Sequence, residues 1–302
     1  MNKKYTTTIL ALICCILWAL VFPILKLLYI ELNIDDNTAK LTLAGMRFFM
    51  AGILVLLYYV ITYRQFPKIS SLRLFRHLGV LGLFQTTLLY AFFFIGTSNT
   101  SGIKSSVLSQ SSIFFVAILA HLFLRDEKIN RKKGIALLLG ILGMLVININ
   151  NLESFSDLLN ISLTGEGYLL ISGFFSSIGT IIAKRMGKSC NTILMNGWQL
   201  TMGGGTLIII GLSTYGKLIH FPNSYSFILF ILLVLISAVA FTLWFNLLKY
   251  VKASEITVFK FTIPIIGSLS SAIIIPGETM SIYVLIGLAL VSYGIYYCNA
   301  SR

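Results

Sequence analysis

Negative charge is scarce in this chain. Its 302 residues carry ten Asp and Glu against 23 Lys and Arg, and no carboxylate lies well inside any of the long apolar stretches described below. A proton-coupled exporter of cationic drugs needs a carboxylate at membrane depth, to hold the cation and to carry the proton. Its lack here points to neutral, zwitterionic or anionic solutes, moved by facilitation or exchange. Histidine is limited to three residues, of which His121 falls near the end of an apolar stretch. The four cysteines form no CxxC and no Cys/His cluster, so no metal site is expected. Cys14, Cys15 and Cys298 lie in apolar stretches and Cys190 in a loop on the basic side, so no disulfide is expected either. No catalytic dyad stands at membrane depth, which argues against an enzyme, and no cofactor motif occurs. Rings of identical pore residues are also missing, which argues against a channel.

What the chain does have is apolar length. Hydrophobic residues make up 57% of it and charged ones 11%, more apolar surface than a soluble core of this size needs. Ten stretches are long enough to cross about 30 Å of hydrocarbon at about 1.5 Å per residue. They fall near 8–30, 41–62, 77–97, 104–124, 134–150, 167–184, 193–214, 225–248, 255–275 and 281–298. A net charge of +13 would suggest nucleic acid in a soluble protein, but here the cations sort by loop. Groups such as Arg64, Lys68, Arg73, Arg76 and Arg125, Lys128, Arg131, Lys132, Lys133 sit on alternate loops, while the opposite loops hold Lys40, Lys104 and Lys217. This positive-inside pattern predicts a multi-pass plasma-membrane protein with both termini cytoplasmic and no nucleic-acid partner. Lys3 and Lys4 before an apolar run resemble a signal peptide. The run outlasts a signal core and no small-x-small site follows it, so a retained helix is expected.

The two halves echo each other. IFFVAILAHLFLRDEKINRKKGIALLLGILG (113–143) aligns without a gap on PIIGSLSSAIIIPGETMSIYVLIGLALVSYG (264–294), so that Glu127 falls on Glu278 and Gly143 on Gly294, an offset of 151. Gly52 similarly answers Gly204, and Tyr90 answers Phe241. Five spans per unit invert the second copy, so the expected units are 1–151 and 152–302, an arrangement suited to alternating access about a midplane site. The glycine faces of spans 5, 7 and 10 serve packing within one protomer or a weak homodimer contact. Pro23 and Pro264 lie inside spans 1 and 9, as gates or as static bends.

Three cations fall within spans: Lys26, Arg47 and Lys260. Lys260 either faces a cavity, where it would attract a substrate carboxylate, or snorkels to the near interface. Arg47 and Lys26 read as structural anchors near the outer ends, Arg47 with Asp35, Asp36 or Glu31 in reach. Span 4 sets Ser105, Ser109 and Ser112 on one face beside Ser106 and Gln110, a density that suggests a cavity lining. Span 3 offers Gln85, Thr86, Thr87 and Tyr90; span 7 offers Asn196, Trp198 and Gln199; span 8 offers Trp244 and Asn246. Some of these only tie helices together. Trp18 and Phe22 share a face of span 1 at mid-depth, where an indole N–H needs a partner. The expected small-molecule site is therefore Trp18, Phe22, Gln85, Tyr90, Ser109, Gln110, Trp244 and Lys260.

The paired segments LRDEKINRKKGIALLLGILG and IPGETMSIYVLIGLALVSYG, the glycines of spans 5 and 10, and Arg47 in span 2 make the chain resemble the drug/metabolite transporter superfamily, with EamA-type permeases nearest. The resemblance implies an all-α polytopic fold of ten helices, with 1–4 and 6–9 around a central cavity and 5 and 10 outside. It implies export or exchange of metabolites without choosing one. Amino acids are the first expectation. An exchanger of phosphorylated or nucleotide-linked sugars is the alternative, though it would want more than one cation at the cavity, and Lys260 is the one good candidate; a drug or nucleoside exporter also stays open. Glu127 and Glu278 read as structural, each favouring the N-terminus of the helix that follows it.

Overall fold

The computed structural model describes residues 3–100, 102–147, 162–274 and 282–299. Among these the regular elements are helices, and no strand occurs. They are α1 (Lys3–Leu32), α2 (Asn37–Tyr63), α3 (Leu72–Ser98), α4 (Lys104–Phe123), α5 (Arg131–Ile147), α6 (Leu163–Met186), α7 (Thr192–Tyr215), α8 (Ser224–Tyr250), α9 (Ala253–Ile274) and α10 (Ile282–Asn299). Eight of them, α1–α4 and α6–α9, are long and apolar enough to cross a membrane. The other two, of 17 and 18 residues, reach about 26 Å. The chain is an all-α polytopic membrane protein. Large apolar side chains such as Ile61, Leu138, Ile273 and Tyr296 point outward, which water would penalise and lipid tolerates.

The helix starts follow local chemistry. Asp36, Ser71, Asn191 and Asn223 each accept a backbone N–H from the first turn of α2, α3, α7 and α8. At the start of α6, Ser162 accepts from Gly165 N at 2.9 Å while Glu166 accepts from Ser162 N at 2.8 Å. This is a capping box stretched by one residue, because the helix opens with a π turn over Leu163–Gly167. α2 and α7 end in left-handed caps at Arg64 and at Gly216, whose φ of 84° suits glycine.

Packing does not follow the order of the chain. α1 lies against α8 and α9, while α6 lies against α3 and α4. α2 and α7 run together over their length, and α5 packs on α10. Two bundles result, α1/α8/α9 and α3/α4/α6, each drawing helices from both halves of the sequence. Glycine permits the α2–α7 approach: a Cβ on Gly52 would strike Thr201, and one on Gly204 would strike the backbone of Phe49. Likewise Gly143 of α5 faces the Gly287 carbonyl of α10. These glycine faces are occupied within one chain.

Candidate functional site

Between the two bundles lies a cavity of about 1030 Å³. All eight residues singled out from the sequence line it: Trp18, Phe22, Gln85, Tyr90, Ser109, Gln110, Trp244 and Lys260. The cavity runs out to the exposed α1–α2 connection at Asn33, Asp35 and Asn37, and to Thr97 and Ser98 at the end of α3.

Two cavity-lining helices are broken where they meet it. α4 interrupts its helical run at Ser109 and Gln110, between Gly102–Leu108 and Ser111–Phe123. α9 tightens into a 3-10 turn over Thr257–Phe261, which carries Lys260. Ser109 and Lys260 are the positions that the 151-residue offset pairs. Discontinuous helices at membrane depth free backbone groups and are a recurring source of transport sites. A third irregularity, the π turn over Leu83–Leu88 in α3, carries Gln85. Gly179 of α6 makes room for that side chain, for a Cβ there would overlap Gln85 Oε1.

Aromatic rings form one wall. Trp18 meets Trp244 edge-on at 5.0 Å and Phe241 at 5.3 Å; Phe48 meets Phe241 at 6.1 Å and Tyr90 at 4.4 Å. The Lys260 ammonium sits over both indoles, 5.5 Å from Trp18 and 5.1 Å from Trp244. Such cation–π contacts offset part of the loss of water around the charge. Among the described residues no carboxylate pairs with Lys260. Trp18 Nε1 is itself buried and has no acceptor among the described residues. Hydroxyl and amide groups form the opposite wall. Ser109 Oγ donates to the Ser106 carbonyl at 3.0 Å and accepts from Gln110 Nε2 at 3.3 Å. Ser112, Ser172 and Ser176 continue that wall.

Several other polar groups turn out to be glue. Thr86 donates to Gln199, Gln199 to Asn196 and Asn196 to Thr242, a relay that joins α3, α7 and α8. Thr87 bonds the Gly203 carbonyl and Thr206. Trp198 donates to the Pro67 carbonyl, away from the cavity, and Asn246 is exposed.

At the other end the two bundles are tied together. Glu127, 3% exposed, accepts from Ala253 N and Ser254 N, both at 2.9 Å, and from Ser254 Oγ at 3.1 Å. The α4–α5 loop thus caps the first turn of α9. Glu127 is expected from the sequence to favour α5, the helix that follows it; instead it serves a helix 126 residues away, while Asn130 Oδ1 accepts from Lys133 N at 2.9 Å in the first turn of α5. Lys133 donates to Ser254 Oγ at 2.8 Å. Lys184, at the end of α6, donates to the Leu248 and Val251 carbonyls at 2.7 and 2.6 Å and lies 4.0 Å from Glu127. Glu278, the residue aligned with Glu127, lies outside the described residues.

The EamA-like transporter family matches residues 6–149 and, a second time, residues 163–300. The chain belongs to the EamA-like transporter family. It is 26% identical to an uncharacterized transporter of Archaeoglobus fulgidus over 100% of this chain and 99% of that one. It is 26% identical to the uncharacterized transporter YvbV of Bacillus subtilis over 98% and 92%. A chloroplastic WAT1-related protein of Arabidopsis thaliana is 25% identical over 87% of this chain, and the chain spans 63% of that protein's length. A solved crystal structure superposes with a TM-score of 0.77 at 15% identity, covering 97% of this chain and 96% of the other, which supports the fold.

In this EamA-family transporter several cavity residues lie outside the expected set, and Arg47 is the most buried charged one among them. Arg47 is not an interfacial anchor and pairs with none of Asp35, Asp36 or Glu31. It is 5% exposed and lines the cavity, with its guanidinium 4.7 Å above Phe48 and Nε donating to Ser237 Oγ at 2.8 Å. The signal was present: a cation within an apolar run, with no acid three or four residues to either side. Lys26 and Lys40 line the same cavity nearer its mouth.

Proposed function

We propose that this EamA-family protein is a plasma-membrane permease that moves small organic metabolites by alternating access. The solute binds in the central cavity with a carboxylate at Lys260. The observation that carries the reading is a lysine that has no carboxylate partner among the described residues, seated on two indoles in the cavity wall, where α4 and α9 are both interrupted. An ammonium so enclosed favours an anionic group, since attraction between charges grows as water is excluded. The aromatic wall suits an apolar body, and Ser109 with Gln110 suits its hydroxyl, amine or carbonyl groups. Amino acids combine these features and are the first class to test.

The basic loops lie at the latched end, so the positive-inside rule makes that end cytoplasmic, along with both termini. The conformation is then open to the outside and shut inside. Two further features support an internal repeat at 1–151 and 152–302: the double family match, and packing pairs that exchange under it (α1 on α8 and α9, α6 on α3 and α4). Access then alternates when α1/α8/α9 rocks against α3/α4/α6 along α2 and α7, which requires the Glu127 latch to part. The moving bodies are mixed bundles rather than the sequence halves.

Counterflow in proteoliposomes tests the reading. A panel of amino acids and other carboxylates is expected to drive uptake of at least one labelled member. Uptake confined to solutes without an acidic group would overturn the carboxylate claim. Lys260→Met is expected to weaken binding of a carboxylate solute about tenfold or more. Unchanged affinity would mean that Lys260 is not a ligand.

A further inference from the structure

Resting on that reading, we infer that the cavity takes an organic dianion, one acidic group on the Lys260 ammonium and the second on the Arg47 guanidinium. Two basic side chains line one cavity, and among the described residues neither has a carboxylate partner. Among the described residues Arg47 spends only Nε, on Ser237 Oγ, whose own hydrogen goes to the Leu233 carbonyl at 2.8 Å. No described group accepts from its two terminal nitrogens, which leaves the forked edge that binds a carboxylate or phosphate through two parallel hydrogen bonds. Lys260 likewise donates to no described oxygen. A buried cation without a counter-charge is unfavourable, and two in one cavity also repel each other. A monoanion relieves one of them. A solute with two acidic groups relieves both.

A row of aromatic rings connects the two cations. From Arg47 the rings run through Phe48, Phe241 and Trp18, meeting edge-on, to Lys260. An apolar or hydroxylated short chain lies against that row, and the two ends carry the charge. Lys26 and Lys40 nearer the mouth add positive field along the entry path, against one cavity-lining carboxylate, Asp35, in the exposed loop. Such a field raises the encounter rate of anions and not of neutral solutes. An amino acid with an acidic side chain belongs to this class and to the broader one above.

The test uses the purified full-length protein and binding by isothermal titration, with proteoliposome counterflow as the second readout. The probes are straight-chain dicarboxylates of rising length, phosphorylated hydroxy acids, and the monoamide of each dicarboxylate, which keeps its size and loses one charge. The dianion is expected to bind about tenfold or more above its monoamide, with an optimum at one chain length. Arg47→Gln is expected to erase that ratio while the monoamide still binds, and Lys260→Gln to weaken both. Preference for the phosphorylated or for the dicarboxylate series identifies which second acidic group the fork accepts. A monoamide that binds wild-type protein as well as its dianion overturns the inference and leaves the carboxylate permease standing. A panel in which no organic acid binds, while neutral solutes do, removes the broader reading as well. The wild-type comparison holds even if R47Q fails to fold.

Discussion

Glu127 and Glu166 are both nearly excluded from solvent, both stand at a helix start and both attract a lysine, yet they bind different things together. Glu166 caps its own helix through Ser162 and receives Thr100 and Lys104, the latter at 2.9 Å. All of these belong to or adjoin α3, α4 and α6, which form one bundle. Glu127 leaves the α4–α5 loop and caps α9 in the opposite bundle, with Lys184 and Lys133 beside it. A carboxylate within a rigid body stabilises every state of that body equally. A carboxylate between bodies stabilises one arrangement over another, and only such differential contacts shift a conformational equilibrium. Under the proposed alternating access, the same chemical group is a staple at the cavity's mouth end and a latch at the other end.

The contrast can be broken by substitution. Glu127→Gln removes the charge that faces two backbone N–H groups and two lysines. We expect the closed end to lose about 3 kcal/mol, on the order of a hundredfold in the closed-to-open ratio. Spin labels at Asp126 and Tyr250 should then report a new, longer distance by double electron–electron resonance. A distribution identical to wild type would mean that Glu127 is only a helix cap. Lys184→Met should shift the same distribution in the same direction by about 2 kcal/mol, since it loses two carbonyl partners from the end of α8. Glu166→Gln is predicted to lower the melting temperature, at a cost of about 1–2 kcal/mol, and to leave the label distances where they were. Any movement of the labels in E166Q would erase the distinction between staple and latch. Ser254→Ala leaves both backbone bonds to Glu127 in place, so it should cost about 1 kcal/mol or less and should slow or speed counterflow only slightly.

Much of this was legible beforehand. Ten apolar helices, their order and the loops that carry positive charge follow from composition and spacing, because lipid forces each span to satisfy its own backbone within a fixed length. All eight expected cavity residues do face one cavity. Trp18, Trp244 and Lys260 stood out because each is costly in hydrocarbon, and costly groups are kept where a cavity or a partner receives them. Others misled. Thr86, Asn196 and Gln199 look like Gln85 in the sequence, yet they bond to one another across three helices. A polar side chain in a span records only that it needs a partner, and the partner's identity depends on which helix lies opposite. Arg47 was legible as a cation within a span; its direction and its lack of an acidic partner were not.

Sequence alone determined the helical class, the membrane, the sorting of charge and the membership of a repeated family pattern, because each rests on interactions within a segment or with bulk solvent and lipid. Tertiary structure alone decided that α1 joins α8 and α9 while α6 joins α3 and α4, that Glu127 reaches α9, and that Arg47 and Lys260 share a cavity. Those depend on helix-to-helix contacts set by glycine-scale fits, such as Gly52 on Thr201 and Gly204 on Phe49. Periodicity in one segment cannot encode which distant segment will supply the matching groove.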